Sequence, residues 1–121
     1  MAAISLPSGL TTIAQESFRS CRSLVDVVIP AGVTSIGSSA FANCSQLGSV
    51  TIPSSVTYIS GGAFENCDSL TQVTIPASVT SMDLWVFAGC DSLLSINVEA
   101  ENNDYVSIDG VLFNADQTEL V

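Results

Sequence analysis

Apolar residues recur along this chain at an interval of 23, and proline marks the beat at Pro7, Pro30, Pro53 and Pro76. Phe18, Phe41, Phe64 and Phe87 keep the same step, as do Cys21, Cys44, Cys67 and Cys90 and Thr11, Thr34, Thr57 and Thr80. Softer positions follow. Leu24, Leu47, Leu70 and Leu93 form one series, with Met1 at the equivalent first place. Ile4, Val27, Val50, Val73 and Ile96 form a second, and Leu6, Ile29, Ile52, Ile75 and Val98 a third. Leu10, Val33, Val56 and Val79, then Ile13, Ile36, Ile59 and Met82, complete the set.

The unit reads L-x-x-V-x-I-P-x-x-V-T-x-I-x-x-x-A-F-x-x-C-x-x, with units at 1–23, 24–46, 47–69 and 70–92 and a divergent unit at 93–121. Within it, Val50-Thr51-Ile52 alternates apolar and polar, the pattern of a strand with one buried face. Pro53 ends that strand because it lacks an N–H for a ladder. Val56 and Ile59 are three apart, and Ala63, Phe64 and Cys67 follow at three- to four-residue spacing, which predicts a turn and a short helical or 3₁₀ segment. In the divergent unit, Asp109-Gly110 between apolar residues predicts a two-residue hairpin turn, with a further turn at Asn114-Ala115-Asp116-Gln117. The predicted architecture is one β-rich solenoid domain over 1–121. Short parallel strands stack at about 4.8 Å, with inward Leu, Val, Ile, Phe and Cys.

The motif resembles the BspA-type leucine-rich repeat, best matched in the second unit by Leu24, Val27, Ile29, Pro30, Val33, Ile36, Ala40, Phe41 and Cys44. The first unit departs from it with Met1 for Leu and Ser17 for Ala, and the fourth with Met82 for Ile and Val86 for Ala. The Asn ladder of common leucine-rich repeats is missing: Gly32, Ser55 and Ser78 stand in its place, so amides inside that turn need other partners, for which Thr34, Thr57 and Thr80 are the candidates. The segment from Asn102 through Asn114 is similar to the longer unit that punctuates such arrays. The resemblance implies a right-handed leucine-rich-repeat coil from a cell-surface or secreted protein of host-associated microbes. It also implies adhesion to host or microbial partners. Both ends of the chain fall on unit-like sequence without a polar cap, so the expectation is a piece of a longer array. The alternative is a module that self-associates by stacking through open coil ends.

Composition narrows the chemistry. The chain has 121 residues, two Arg, no Lys, no His and twelve Asp and Glu, for a net charge of −10. Without His, the usual general base and commonest metal ligand are missing, and two Arg cannot neutralise a phosphate backbone, so an enzyme and a nucleic-acid binder are both disfavoured. No stretch approaches the ~18–20 apolar residues of a membrane span, and Met1 to Pro7 has no basic, apolar leader. The expectation is a soluble chain without membrane insertion and without a cofactor.

Six groups of residues are weighed for function. The cysteines fall one per coil, which favours a ladder of buried thiols over adjacent disulfides or a metal site, since zinc spacing is absent. The phenylalanines are read as a core ladder. Leu84 and Trp85 replace polar or small residues of the other units and predict an apolar patch, with packing against the last unit favoured over partner contact. The outward, concave strand face carries Asp26, Val28, Ser49, Thr51, Gln72, Thr74, Ser95 and Asn97, a hydroxyl-rich strip that could take a protein or glycan ligand. Six acids, Glu99, Glu101, Asp104, Asp109, Asp116 and Glu119, gather in the divergent end beside Asn102 and Asn103. A solvated loop is the favoured reading there, with calcium binding or carboxylate-pair hydrolysis as remote alternatives. Asn43-Cys44-Ser45 matches a glycosylation sequon but lies within the repeat motif itself.

Overall fold

A computed structural model describes residues 3–4, 6–108 and 111–114. The chain winds through eleven short strands: β1 (Ala3–Ile4), β2 (Thr12–Ile13), β3 (Asp26–Val28), β4 (Ser35–Ile36), β5 (Ser49–Thr51), β6 (Tyr58–Ile59), β7 (Gln72–Ile75), β8 (Ser81–Met82), β9 (Ser95–Val98), β10 (Tyr105–Ile108) and β11 (Val111–Asn114). Even strands up to β8 build one continuous parallel ladder, and the odd strands stack on another side as two parallel segments, β1-β3-β5 and β7-β9, so the described residues make about four turns of a solenoid. The registers follow the repeat: Val27 pairs with Val50, Ile13 with Ile36, and Ile59 with Met82, each 23 residues apart. The proline after β3, β5 and β7 also opens a turn, whose carbonyl accepts from the amide three residues on: Val33 to Pro30, Val56 to Pro53 and Val79 to Pro76.

The expected short helix is replaced by a run of turns with no helix among the described residues. Alternate amides take different partners. Ala40, Ala42 and Leu47 donate to the carbonyl three residues back, whereas Ser39, Phe41 and Asn43 donate to Gly61, Ala63 and Glu65 of the next coil. Positive φ recurs at Ser39 and Asn43 (54° and 61°), and again at Gly62 and Asn66 (66° and 58°). A right-handed helix has no place for such residues, and a turn with φ > 0 at its third position requires them. The three- to four-residue apolar spacing therefore arises from corners of the coil, which send Ala40, Phe41 and Cys44 inward together.

The core is a set of columns parallel to the solenoid axis. Leu24, Leu47 and Leu70, Val33, Val56 and Val79, and Ile13, Ile36 and Ile59 are all buried. Phe18, Phe41, Phe64 and Phe87 stack face to face with centroids 5.2, 5.3 and 5.7 Å apart and ring planes within 8°. The coil spacing near 4.8 Å dictates this parallel offset stacking, one of the favourable arrangements for aromatic pairs.

Hydroxyls tie the coils on the outside. Thr34, Thr57 and Thr80 each donate Oγ1 to the carbonyl of the preceding coil's threonine, all at 3.3 Å. Ser55 and Ser78 donate to the Val33 and Val56 carbonyls at 2.6 Å. The threonines thus serve carbonyls, not the turn amides proposed for them from sequence. Those amides find partners in the backbone, as Thr57 N does in the Thr34 carbonyl. A chain with 28 Ser and Thr and two cations satisfies its coil-to-coil carbonyls without charge.

The divergent unit closes over the last coil. β10 and β11 pair antiparallel with Ile108 opposite Val111, the register of a two-residue connection, while residues 109 and 110 themselves lie outside the described residues. The second predicted turn beyond Asn114 lies outside them too. Leu112 is buried, and Ser107 Oγ donates to the Ile96 carbonyl. The Met82 amide donates to the Tyr105 hydroxyl at 2.8 Å. Asn102, which continues the series Val33, Val56, Val79 by one more step of 23, is buried there. Its Nδ2 donates to the carbonyls of Pro76 and Val79 at 2.9 and 3.1 Å, and its Oδ1 accepts from the amides of Asp104 and Tyr105 at 2.8 and 2.9 Å. Asn102 is therefore consumed by the fold, which removes it from the calcium set weighed from sequence.

Candidate binding face

The odd strands, with three to four residues each from β3 to β9, present a wider outward row of side chains than the two-residue even strands. In β3 the burial alternates exposed, buried, exposed across Asp26, Val27 and Val28, and β7 alternates the same way from Gln72 to Ile75. Asp26, Val28, Ser49, Thr51, Gln72, Thr74 and Asn97 are exposed, and Ser95 is half-buried. The structure thus brings the predicted strip together on one surface.

The ladder is not continuous. β3 pairs with β5 and β7 with β9, but no bridge joins β5 to β7. An open cleft of about 490 Å³ lies there, lined by Ser49, Val50, Thr51, Gln72, Thr74 and Glu99 among others. Its consequence shows at the inward valine of each rung: Val27 and Val73 are 1% and 3% exposed, whereas Val50 between them is only half-buried. Hydroxyl and amide groups flank an apolar floor, with Glu99 at one end, where its Oε1 accepts from the Ala77 amide at 2.7 Å. This opening has no signature in the sequence, since the unit at 47–69 has the same residue types as its neighbours. Glu99, grouped from sequence with the acids of the divergent end, reaches the cleft instead.

The remaining candidates divide into structure and surface. Cys44 and Cys67 are buried, Cys21 and Cys90 half-buried, and all four are free thiols. Cys44, Cys67 and Cys90 donate Sγ–H to the carbonyls of Phe18, Phe41 and Phe64 in the preceding coil at 3.1, 3.2 and 3.1 Å. A cysteine in this column fills space as an apolar residue and also supplies a weak donor. Burial pushes the Cys44 thiol from the ordinary 9.0 up to about 11, and the neighbouring Cys90 sulfur, then burial, raises Cys67 as well. Such thiols are poor nucleophiles. An unfolded chain ionises its thiols first on raising the pH, so the Cys44 contribution to stability is intact below pH 9 and is lost towards pH 11. Thermal melts across that window should therefore fall with pH, and fall less in Cys44→Ala; native alkylation of Cys44 and Cys67 near pH 8 should be far slower than their alkylation in urea.

Leu84 and Trp85 are 69% and 72% exposed, so the favoured packing of Trp85 is not made by the described residues of the last unit. The divergent unit reaches this coil through Tyr105 at Met82 instead. No group of three or more Asp, Glu, Cys or His residues among the described residues is placed to share a metal ion. Asn43, the sequon residue, is half-buried and accepts from Asn66 Nδ2 at 3.0 Å.

Parallel two-ladder coils of 23 residues, with inward Leu, Val, Ile, Phe and Cys columns, define a leucine-rich-repeat solenoid. The BspA-type leucine-rich repeat region matches residues 1–116 in six copies, and the chain belongs to that family. It is similar to the pneumococcal vaccine antigen PcpA, with a TM-score of 0.87 and 30% identity over 99% of this chain and 36% of that one. It is also similar to a leucine-rich cell surface protein from Faecalibacterium prausnitzii (TM-score 0.79, 40% identity, 84% of this chain and 26% of the other). A leucine-rich repeat protein of T. pallidum shares 30% identity at a TM-score of 0.62, over 78% of this chain and 57% of that one. The chain thus spans about a third or less of the length of the first two. No curated protein matches it.

Proposed function

We propose that this chain is a non-catalytic segment of a cell-surface or secreted adhesin, and that it contacts a host or microbial partner through the odd-strand face. The observation that carries the reading is the opening between β5 and β7, which exposes core-facing Val50 within a row of outward Ser, Thr and Gln side chains. A mixed floor of this kind offers a partner both apolar contact and hydrogen bonds, as interface cores do. The similarity to a vaccine antigen and to a cell surface protein supports the surface location. The missing His and the absence of a metal cluster among the described residues leave no evident catalytic group on this face.

Beads coated with the chain are expected to adhere to cultured host cells above bare beads. The double variant Thr51→Arg/Thr74→Arg, which fills the cleft from both strands, should cut that adhesion at least about fivefold, with a melting temperature within about 3 °C of the parent because surface substitutions cost little. Adhesion no better than that of bare beads, or unchanged in the variant, contradicts the reading.

A further inference from the structure

A second surface lies off the odd-strand face, where the chain leaves β8. Leu84 and Trp85 stand one coil above Gly61 and Gly62, and the Gly62 amide donates to the Leu84 carbonyl at 3.2 Å. The glycine step leaves a notch of about 510 Å³ lined by Gly61, Met82, Asp83, Leu84 and Trp85. Trp85 also holds φ at +63°, at a place where the other coils have Glu16, Ser39 and Gly62. A bulky residue is disfavoured in that region, and here it is also left in water, so neither local conformation nor packing accounts for a tryptophan.

The charges around the notch say what it fits. Asp83 is exposed, its Oδ2 accepts from the Tyr58 hydroxyl, and that bond is the largest cause raising the Tyr58 pKa. No described residue engages Asp83 Oδ1. Glu65 Oε2 lies 3.1 Å from where a Cβ on Gly62 would sit, placing a second carboxylate beside the glycine step. The chain has only two cations, Arg19 and Arg22, both in the first unit, and Arg19 pairs with Glu16 at 3.0 Å. The Asp83 carboxylate, which lines the notch with the open indole, therefore lacks a cationic partner among the described residues. A guanidinium satisfies both demands at once, since it stacks on aromatic faces and bonds a carboxylate in a planar fork. A second copy of the chain is a poor occupant, because each copy carries −10.

We propose that the Leu84–Trp85 notch docks an arginine-bearing segment of a protein partner, with the guanidinium over the Trp85 indole and on the Asp83 carboxylate and a flanking apolar side chain against Leu84. This surface is separate from the β5–β7 cleft, and its failure leaves the strand-face reading untouched.

Trp85 is the one tryptophan of the chain, so its emission reports the site directly. The probes are acetyl-Leu-Arg-Leu-amide, the same peptide with citrulline for arginine, and neutral maltohexaose. The arginine peptide is expected to change Trp85 emission saturably at about millimolar affinity, as a single small contact would. Binding should weaken about tenfold with citrulline, in Asp83→Asn, or in about 0.5 M salt. The proposal is overturned by no saturable change up to about 20 mM arginine peptide, by an equal response to the citrulline peptide, or by a response to the oligosaccharide alone. The variant Trp85→Gly restores the residue type found one coil earlier and suits φ > 0, so its melting temperature should equal or exceed the parent's. A fall of more than about 5 °C would make Trp85 a packing residue and also overturns the proposal.

Discussion

Phe64→Ala is expected to lower the unfolding free energy by about 3–5 kcal/mol, the range for deleting a fully buried aromatic ring, and the melting temperature by about 10–20 °C. Phe64 is 0% exposed and stacked on both faces, with Phe41 at 5.3 Å and Phe87 at 5.7 Å. Its loss breaks the aromatic column in the middle, and coils in a solenoid have no neighbours other than those above and below to compensate. Phe18→Ala should cost about half as much, since Phe18 is half-buried and stacks only on Phe41 among the described residues. Urea melts of the two variants decide the matter. Equal losses at Phe18 and Phe64 would show that neither burial nor the number of stacking partners sets the energetics of the column.

Asn102→Ala carries the second large effect. The side chain makes four hydrogen bonds, two to carbonyls of the preceding coil and two from amides of its own turn. Alanine leaves these groups buried and unpaired, at about 1–3 kcal/mol for each one that water cannot reach, so a loss of about 3–5 kcal/mol is expected. Asn102→Asp is the informative companion. It keeps the acceptor for Asp104 and Tyr105 but sets a carboxylate oxygen against the Pro76 and Val79 carbonyls, so at neutral pH it should be no more stable than the alanine variant. Limited proteolysis should then cut within 93–114 before the coils at 24–92. A wild-type-like melt for Asn102→Ala would show that the divergent unit is held by Leu112 and Tyr105 alone.

Much of this architecture was legible because the repeat is strict. A step of 23 fixes which residues stack, so the Phe, Cys, Leu and Val columns, the parallel registers and the outward positions of Asp26, Thr51 and Thr74 follow from spacing. The turn run was misread as helical because three- to four-residue apolar spacing also arises when successive turns send Ala63, Phe64 and Cys67 inward. The recurrence of Asn43, Asn66 and Gly89, types that tolerate positive φ, was the available signal against a helix. Asn102 was weighed with the acids around it, although its place one step beyond Val79 marked it as a residue of the coil. Trp85 was expected to pack, and the two glycines one coil earlier were the sign that nothing covers it. The cleft between β5 and β7 had no sign at all, because strand separation depends on how whole coils settle against each other.

The proposed contact surfaces lie away from the columns that hold the coils together. The Phe and Cys columns and the hydroxyl ties stabilise the array without charge, while the odd strands and the Trp85 notch present exposed side chains outside those columns. The strand-face claim is tested most directly by comparing adhesion of Thr51→Arg/Thr74→Arg with that of Thr12→Arg/Ser81→Arg, whose exposed residues lie on the other ladder. The account predicts at least about a fivefold loss of bead adhesion for the first pair and adhesion within about twofold of the parent for the second, both folded, as surface substitutions away from a binding site are near neutral. Equal losses in the two variants, or loss confined to the Thr12 and Ser81 pair, would contradict it.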